Sequence, residues 1–277
     1  MDSPEIDWRT LDRAELDRGF NNSAAVPGSA ALVADWEARG AAVRAAHPDT
    51  LDLVYGPRPR NRIDLVKAGP GAPTLAFIHG GYWQMRSKET FSFISPGPLA
   101  HGISVAHIGY TLAPEAPLDA IVAEIGAALD WLGAELPRLG GDPGKLWVSG
   151  WSAGGHLAAT ALAHPLVRGG LAISGLYELE PIRHCYVNDK LGLDADAAAR
   201  HSPMLNPPSP KPLVLAVGGA ELPLLRQQTR DFARVREAGG APGSFHELPG
   251  HDHFSIMEEM ARPDGRLAEL ARDLCRG

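Results

Sequence analysis

The 277-residue chain is 44% hydrophobic and 21% charged with a net charge of −7, which supplies a substantial core and excludes the basic cluster needed to displace counterions from nucleic-acid phosphates. Cys185 and Cys275, its two cysteines, make no disulfide framework and lack CxxC spacing, so both are expected to be reduced thiols. Met1 to Asp7 shows neither the basic start nor the apolar stretch of a signal peptide, and no apolar run approaches the roughly 20 residues of a membrane span; a cytoplasmic protein with no membrane and no nucleic-acid partner is expected.

Apolar residues at helical spacing predict helices over 11–20 and 30–46, broken at Val26-Pro27-Gly28, so residues 1–50 read as a helical arm. Beyond Pro48 the texture changes, and 51–55 and 62–66 read as short alternating strands joined by the turn Gly56-Pro57-Arg58-Pro59. Apolar strands then alternate with helical runs. The apolar strands fall at 74–78, 103–108, 146–149, 171–174 and 213–217, with 244–248 as the last strand; the helices fall at 116–132, 155–163 and 224–238. Near-continuous apolar strands separated by helices imply an α/β fold with a mostly parallel central sheet covered on both faces. The stretch 177–212 is irregular and proline-rich toward its end, as expected of a cap or loop excursion over the sheet. No repeat or linker divides the chain, so residues 1–277 are expected to form one domain. Gly140-Gly141-Asp142-Pro143-Gly144-Lys145 is glycine-rich and ends in lysine, yet it precedes a strand, whereas a phosphate-binding loop follows one. It reads as a turn, and no cofactor is implied.

The most informative motif is Gly150-Trp151-Ser152-Ala153-Gly154, which leaves an apolar strand and runs into a helix. A serine on so sharp a turn needs small residues two before and two after it, because side chains there would collide with neighbouring backbone. A hydroxyl needs a base to take its proton and an acid to orient that base, and such groups sit on loops at the carboxyl ends of strands. Glu221 follows the strand at 213–217. Pro249-Gly250-His251-Asp252-His253 follows the last strand, and His253 is the preferred base with His251 as fallback. Asp252 competes with Glu221 as the acid, but a residue adjacent to the base rarely points at its ring. A metal site built from the His-Asp-His trio is disfavoured because no second cluster complements it. Upstream, Phe77-Ile78-His79-Gly80-Gly81-Tyr82-Trp83 follows a buried strand. The backbone N–H groups of Gly81, Tyr82 and Ala153 are the candidate oxyanion donors, with His79 holding the loop.

These residues resemble the kynurenine formamidase (arylformamidase) branch of the α/β-hydrolase fold, which is related to the hormone-sensitive-lipase-like esterases. His79-Gly80-Gly81-Tyr82-Trp83-Gln84 is similar to that branch's oxyanion motif, in which Tyr-Trp replaces the third glycine of the esterases. Tyr110-Thr111-Leu112-Ala113-Pro114-Glu115, Gly141-Asp142-Pro143 and Ser152-Ala153-Gly154-Gly155-His156-Leu157 resemble segments of the wider group. Phe20-Asn21-Asn22-Ser23 with Val26-Pro27 resembles the family's N-terminal arm. The resemblance implies a cofactor-free serine hydrolase with the triad Ser152, Glu221 and His253. Its substrate would be a small molecule, N-formyl-kynurenine, converted to kynurenine and formate in tryptophan catabolism, with Tyr82, Trp83 and Trp151 as substrate-contacting residues. Two positions depart from the family: Glu221 stands where Asp is common, and Trp151 where many relatives carry histidine. A short-chain carboxylesterase and a non-catalytic binding protein on the same fold stand as alternatives, and a homodimer is left open.

Overall fold

Strands that are apolar on both sides can be buried only between two layers, and the computed structural model, which describes residues 5–276, builds that sandwich. Met1 to Pro4, part of the stretch read for a signal peptide, lie outside the described residues, as does Gly277. Among the described residues the strands are β1 (Leu53–Val54), β2 (Arg62–Val66), β3 (Thr74–Ile78), β4 (Ser104–Ile108), β5 (Leu146–Trp151), β6 (Val167–Ile173), β7 (Leu213–Gly218) and β8 (Gly243–Leu248). They form one sheet in the order β1-β2-β4-β3-β5-β6-β7-β8. β1, β2 and β4 pair antiparallel, and every pairing from β4 to β8 is parallel.

The strand period sorts the core into two clusters. Ala76, Ile78, Leu146 and Val148 face one layer with the helices Leu118–Leu139, Ala153–Ala161 and Pro223–Ala238. Leu75, Phe77, Trp147 and Trp151 face the other, with Val33 and Trp36 of the helix Ser29–Ala46 and Leu267 and Leu270 of the helix Arg266–Arg276. The stretch expected as one arm therefore divides. Arg13–Phe20, closed by an Asp12/Glu15 capping box, packs on the first face, while Ser29–Ala46 covers the second.

Several elements differ from expectation for local reasons. β2 does not alternate, since Ile63 to Val66 are all buried; the buried Asp64 is held by Lys88 Nζ at 2.7 Å and Arg44 Nε at 2.8 Å. β5 runs on through Trp151, which registers with Ile173. The helix expected over 116–132 extends to Leu139, because Pro137 lies in its last turn and interrupts little of the hydrogen-bond ladder. The turns Glu89–Ile94, Pro96–Ala100 and the C-terminal helix Arg266–Arg276 have no counterpart in the expected elements.

Residues 177–212 are irregular only in part: the short helices Glu180–Arg183, Asn188–Leu191 and Ala195–Arg200 lie within them. The N-terminal helix clasps this segment. Arg13 donates from one guanidinium nitrogen to both carboxylate oxygens of Asp189 at 2.9 Å, and Asp17 accepts the Tyr186 N–H at 2.6 Å. Cys185 is buried, and both cysteines are free thiols. No helix among the described residues is long and apolar enough to cross a membrane.

Candidate active site

At the carboxyl end of β5 the chain turns through Ser152 at φ 57°, ψ −122° and enters the helix Ala153–Ala161. A non-glycine residue at positive φ is strained, and the Ser152 N–H holds the turn by donating to Ile173 O at 2.8 Å. The flanking glycines are steric requirements. A Cβ on Gly154 would stand 2.0 Å from Ile78 O, and one on Gly150 2.1 Å from Gly154 O. With side chains there, the helix could not approach β3.

The hydroxyl faces an imidazole and a carboxylate from two other loops. His253 Nε2 lies 3.1 Å from Ser152 Oγ, and His253 Nδ1 lies 2.6 Å from Glu221 Oε2. The row is nearly closed to solvent, with Ser152 2% and His253 3% exposed. The second oxygen of Glu221, Oε1, accepts from Ser174 Oγ at 2.5 Å and from Gly218 N–H at 2.7 Å. A buried carboxylate with partners at both oxygens is held in one rotamer. Ser174, at the end of β6 with φ 51°, was not among the predicted site residues. It reaches Glu221 only because β6 and β7 are neighbours, and nothing local in the sequence signals it.

The other residues of the last loop turn away. His251 Nε2 lies 3.6 Å from Glu259, and its carbonyl accepts the Ala220 N–H at 2.9 Å. Asp252 Oδ1 accepts the N–H groups of Phe254 and Ser255, both at 2.8 Å. Among the described residues, the converging carboxylates are Asp52, Asp64 and Glu89. Lys88 Nζ bonds all three at 2.7, 2.7 and 2.8 Å, which makes the cluster an ion-pair network.

The loop after β3 packs against the elbow. Gly81, Tyr82 and Trp83 all take positive φ, at 110°, 51° and 59°. Among the described residues, the N–H groups of Gly81, Tyr82 and Ala153 donate to no acceptor in the protein; for Ala153 this follows from its place at the start of a helix. His79 is wholly buried, its Nδ1 paired with Gly80 O at 2.8 Å and its ring stacked 4.2 Å from Tyr110. Burial pushes its pKa down to about 3. Tyr82 Oη donates to Phe20 O at 2.5 Å and accepts from Asn22 at 3.1 Å, so the loop is tied to the N-terminal segment. Gln84 Nε2 donates to Val187 O at 2.6 Å, which ties it to the 177–212 segment as well.

Of the aromatics expected to touch substrate, Tyr82 is 9% exposed and edge-on to Tyr186 at 6.3 Å. Trp83 is wholly buried and T-shaped against His156 at 5.1 Å. Trp151, 3% exposed, lies in the second core layer, with its Nε1–H on His253 O at 2.8 Å. The two indoles therefore offer little surface to a ligand. For Trp151 the reason is the strand period: with β5 continuing to the elbow, residue 151 shares a face with Trp147. The alternation Trp147-x-Ser149-x-Trp151 is the signal that could have found this.

A mostly parallel sheet with helices on both faces and a strand-turn-helix elbow after a central strand defines the α/β-hydrolase class, and the α/β-hydrolase fold family matches residues 75–211. The chain is 27% identical to kynurenine formamidase of Danio rerio over 287 residues, covering 95% of this chain and 97% of that protein. It is 30% identical to kynurenine formamidase of Drosophila melanogaster over 249 residues, covering 81% and 77%. A solved structure from Silicibacter, provisionally described as a thioesterase, superposes with a TM-score of 0.82 at 31% identity over 92% of this chain and 98% of that one. The chain belongs to the kynurenine formamidase family of α/β-hydrolases and is a hydrolase.

Proposed function

We propose that the chain is a single-domain serine hydrolase of small acyl amides whose substrate is N-formyl-kynurenine. The observation that carries the chemistry is the hydrogen-bonded row from Ser152 Oγ through the His253 imidazole to Glu221, at 3.1 and 2.6 Å. The kynurenine formamidase relatives, aligned over most of the chain, support the substrate.

In this reading His253 Nε2 takes the proton of Ser152 as Oγ adds to the formyl carbon. The carbonyl oxygen becomes an oxyanion and accepts from the N–H groups of Gly81, Tyr82 and Ala153. Each such donor is worth about 3 kcal/mol in the transition state. Glu221 keeps Nδ1 protonated and stabilises the imidazolium. Collapse breaks the C–N bond, and His253 gives its proton to the departing aryl amine. Water then adds to the formyl-serine ester with His253 again as base; formate leaves, and Ser152 regains its proton. A hydrogen atom as acyl substituent suits a site this closed, and Tyr82 offers the leaving group a ring edge.

The test compares purified enzyme on N-formyl-kynurenine and on p-nitrophenyl acetate, with Ser152→Ala as control. Turnover of the formamide that vanishes in Ser152→Ala supports the reading. Turnover of the ester alone makes the chain a carboxylesterase, in keeping with the thioesterase description of its Silicibacter neighbour. Wild type that hydrolyses neither substrate and is not labelled by a fluorophosphonate favours a binding protein.

A further inference from the structure

We propose that Trp151 is a positioning residue that clamps the base to the nucleophile; the proposal rests on the reading of Ser152 as nucleophile and His253 as base. Residue 151 is the immediate neighbour of the serine, and its indole reaches back to the histidine by two contacts. Its Nε1–H donates to the main-chain carbonyl of His253 at 2.8 Å. Its ring lies 4.6 Å from the His253 imidazole at an interplanar angle of 33°.

The indole cannot drift. Trp36 meets it edge-on at 5.9 Å and 85°, Phe91 lies at 5.4 Å, and Phe254 lies at 5.7 Å. Trp36 is itself held by a hydrogen bond from Nε1 to Glu258 at 2.8 Å. Glu221 fixes His253 through Nδ1, which sets ring rotation but leaves the His253 backbone to the loop that carries it. That loop follows β8 at the edge of the sheet, whereas Ser152 ends a central strand. The Trp151 hydrogen bond joins these two elements one residue from the reacting hydroxyl. It thereby sets the distance between Oγ and Nε2, over which the proton must move.

The indole face carries a second effect. As the imidazole takes the serine proton it becomes a cation 4.6 Å from an electron-rich ring, which attracts the developing charge. Both effects act in the transition state and leave ground-state binding alone, so kcat should change and KM should not.

The experiment separates the N–H from the ring. Site-specific replacement of Trp151 by β-(3-benzothienyl)alanine substitutes sulfur for the N–H and keeps the bicyclic shape; Trp151→Phe is the encoded companion. We expect kcat and the fluorophosphonate labelling rate at Ser152 each to fall about tenfold in the analogue, with KM within about twofold of wild type and the thermal midpoint lowered by no more than the few degrees that one lost hydrogen bond costs. Trp151→Phe, which also loses the larger ring, should fall further; if it fails to fold, the analogue carries the test. An analogue that turns over and labels at wild-type rates overturns the clamp. So does one whose kcat loss comes with a matching rise in KM, which is the signature of disturbed packing alone. A wild-type Ser152 that is never labelled removes the reading beneath the proposal and overturns both.

Discussion

Acidification from pH 7 to 5 should destabilise this protein through three buried histidines. His79, His107 and His156 are each no more than 1% exposed. Each engages one ring nitrogen: His79 with Gly80 O, His107 with Ser95 Oγ and His156 with His201 O, at 2.8, 2.8 and 2.7 Å. The other nitrogen of each has no partner, so a second N–H would be buried unsatisfied. Burial accordingly pushes His79 down to about 3 and His107 and His156 down to about 4. In the unfolded chain the same groups titrate near about 6.5. Between those values the unfolded state binds protons that the folded state refuses. Stability is therefore fully present above about pH 6.5 and falls as pH drops toward 4.

The slope is about 1.4 kcal/mol per pH unit for each group, so pH 5 removes about 2 kcal/mol per histidine and roughly 6 in all. That is a large part of the 5–15 kcal/mol typical of a folded domain. Carboxylates contribute little in this window, since their unfolded values lie near about 4. Urea unfolding followed by tryptophan fluorescence at pH 7, 6 and 5 measures the slope. His107→Gln, distant from the serine, should reduce it by about a third. Unfolding free energies equal at pH 7 and pH 5 would refute the argument. Because His79 lies in the loop after β3 and His156 on the elbow helix, acid loss of activity should accompany the unfolding.

Further outcomes follow from single contacts. Ser174→Ala removes the hydroxyl from Glu221 and should cost about 2 kcal/mol in denaturant unfolding; kcat should fall while KM holds, and unchanged kcat would remove Ser174 from the site. Gly154→Ala places a methyl 2.0 Å from Ile78 O, so the elbow helix must shift; fluorophosphonate labelling should collapse even where circular dichroism shows a folded chain. Lys88→Met leaves the fully buried Asp64 with Arg44 as its remaining cationic partner and should cost about 3 kcal/mol or more. Its thermal midpoint should drop by several degrees, and an unchanged midpoint would count against the network.

What depends on local geometry is legible along the chain. β3 lies where its apolar run predicts, and the small residues of Gly150-Trp151-Ser152-Ala153-Gly154 are demanded by contacts of 2.0 to 2.1 Å that any Cβ would make. The chain order serine, acid, histidine is readable because the serine and the acid follow strands marked by apolar composition, and the histidine lies in a Pro-Gly turn loop after the last strand. Whatever depends on which strand lies beside which is not. Ser174 and Glu221 are 47 residues apart and meet across β6 and β7. The sequence prefers His253 and keeps His251 as fallback; the folded loop, whose His251 carbonyl is bonded to the Ala220 N–H, turns His251 toward Glu259 and His253 toward Ser152. Trp151 lies between the two cases. Its face follows from the strand period once β5 is known to reach the elbow, yet its hydrogen bond to a residue 102 positions away exists only in the folded sheet. Sequence alone determined the turn that carries a hydroxyl out of the strand, because sterics act between near neighbours. The tertiary structure decided what surrounds that hydroxyl, because hydrogen bonds across a parallel sheet join residues that the chain keeps far apart.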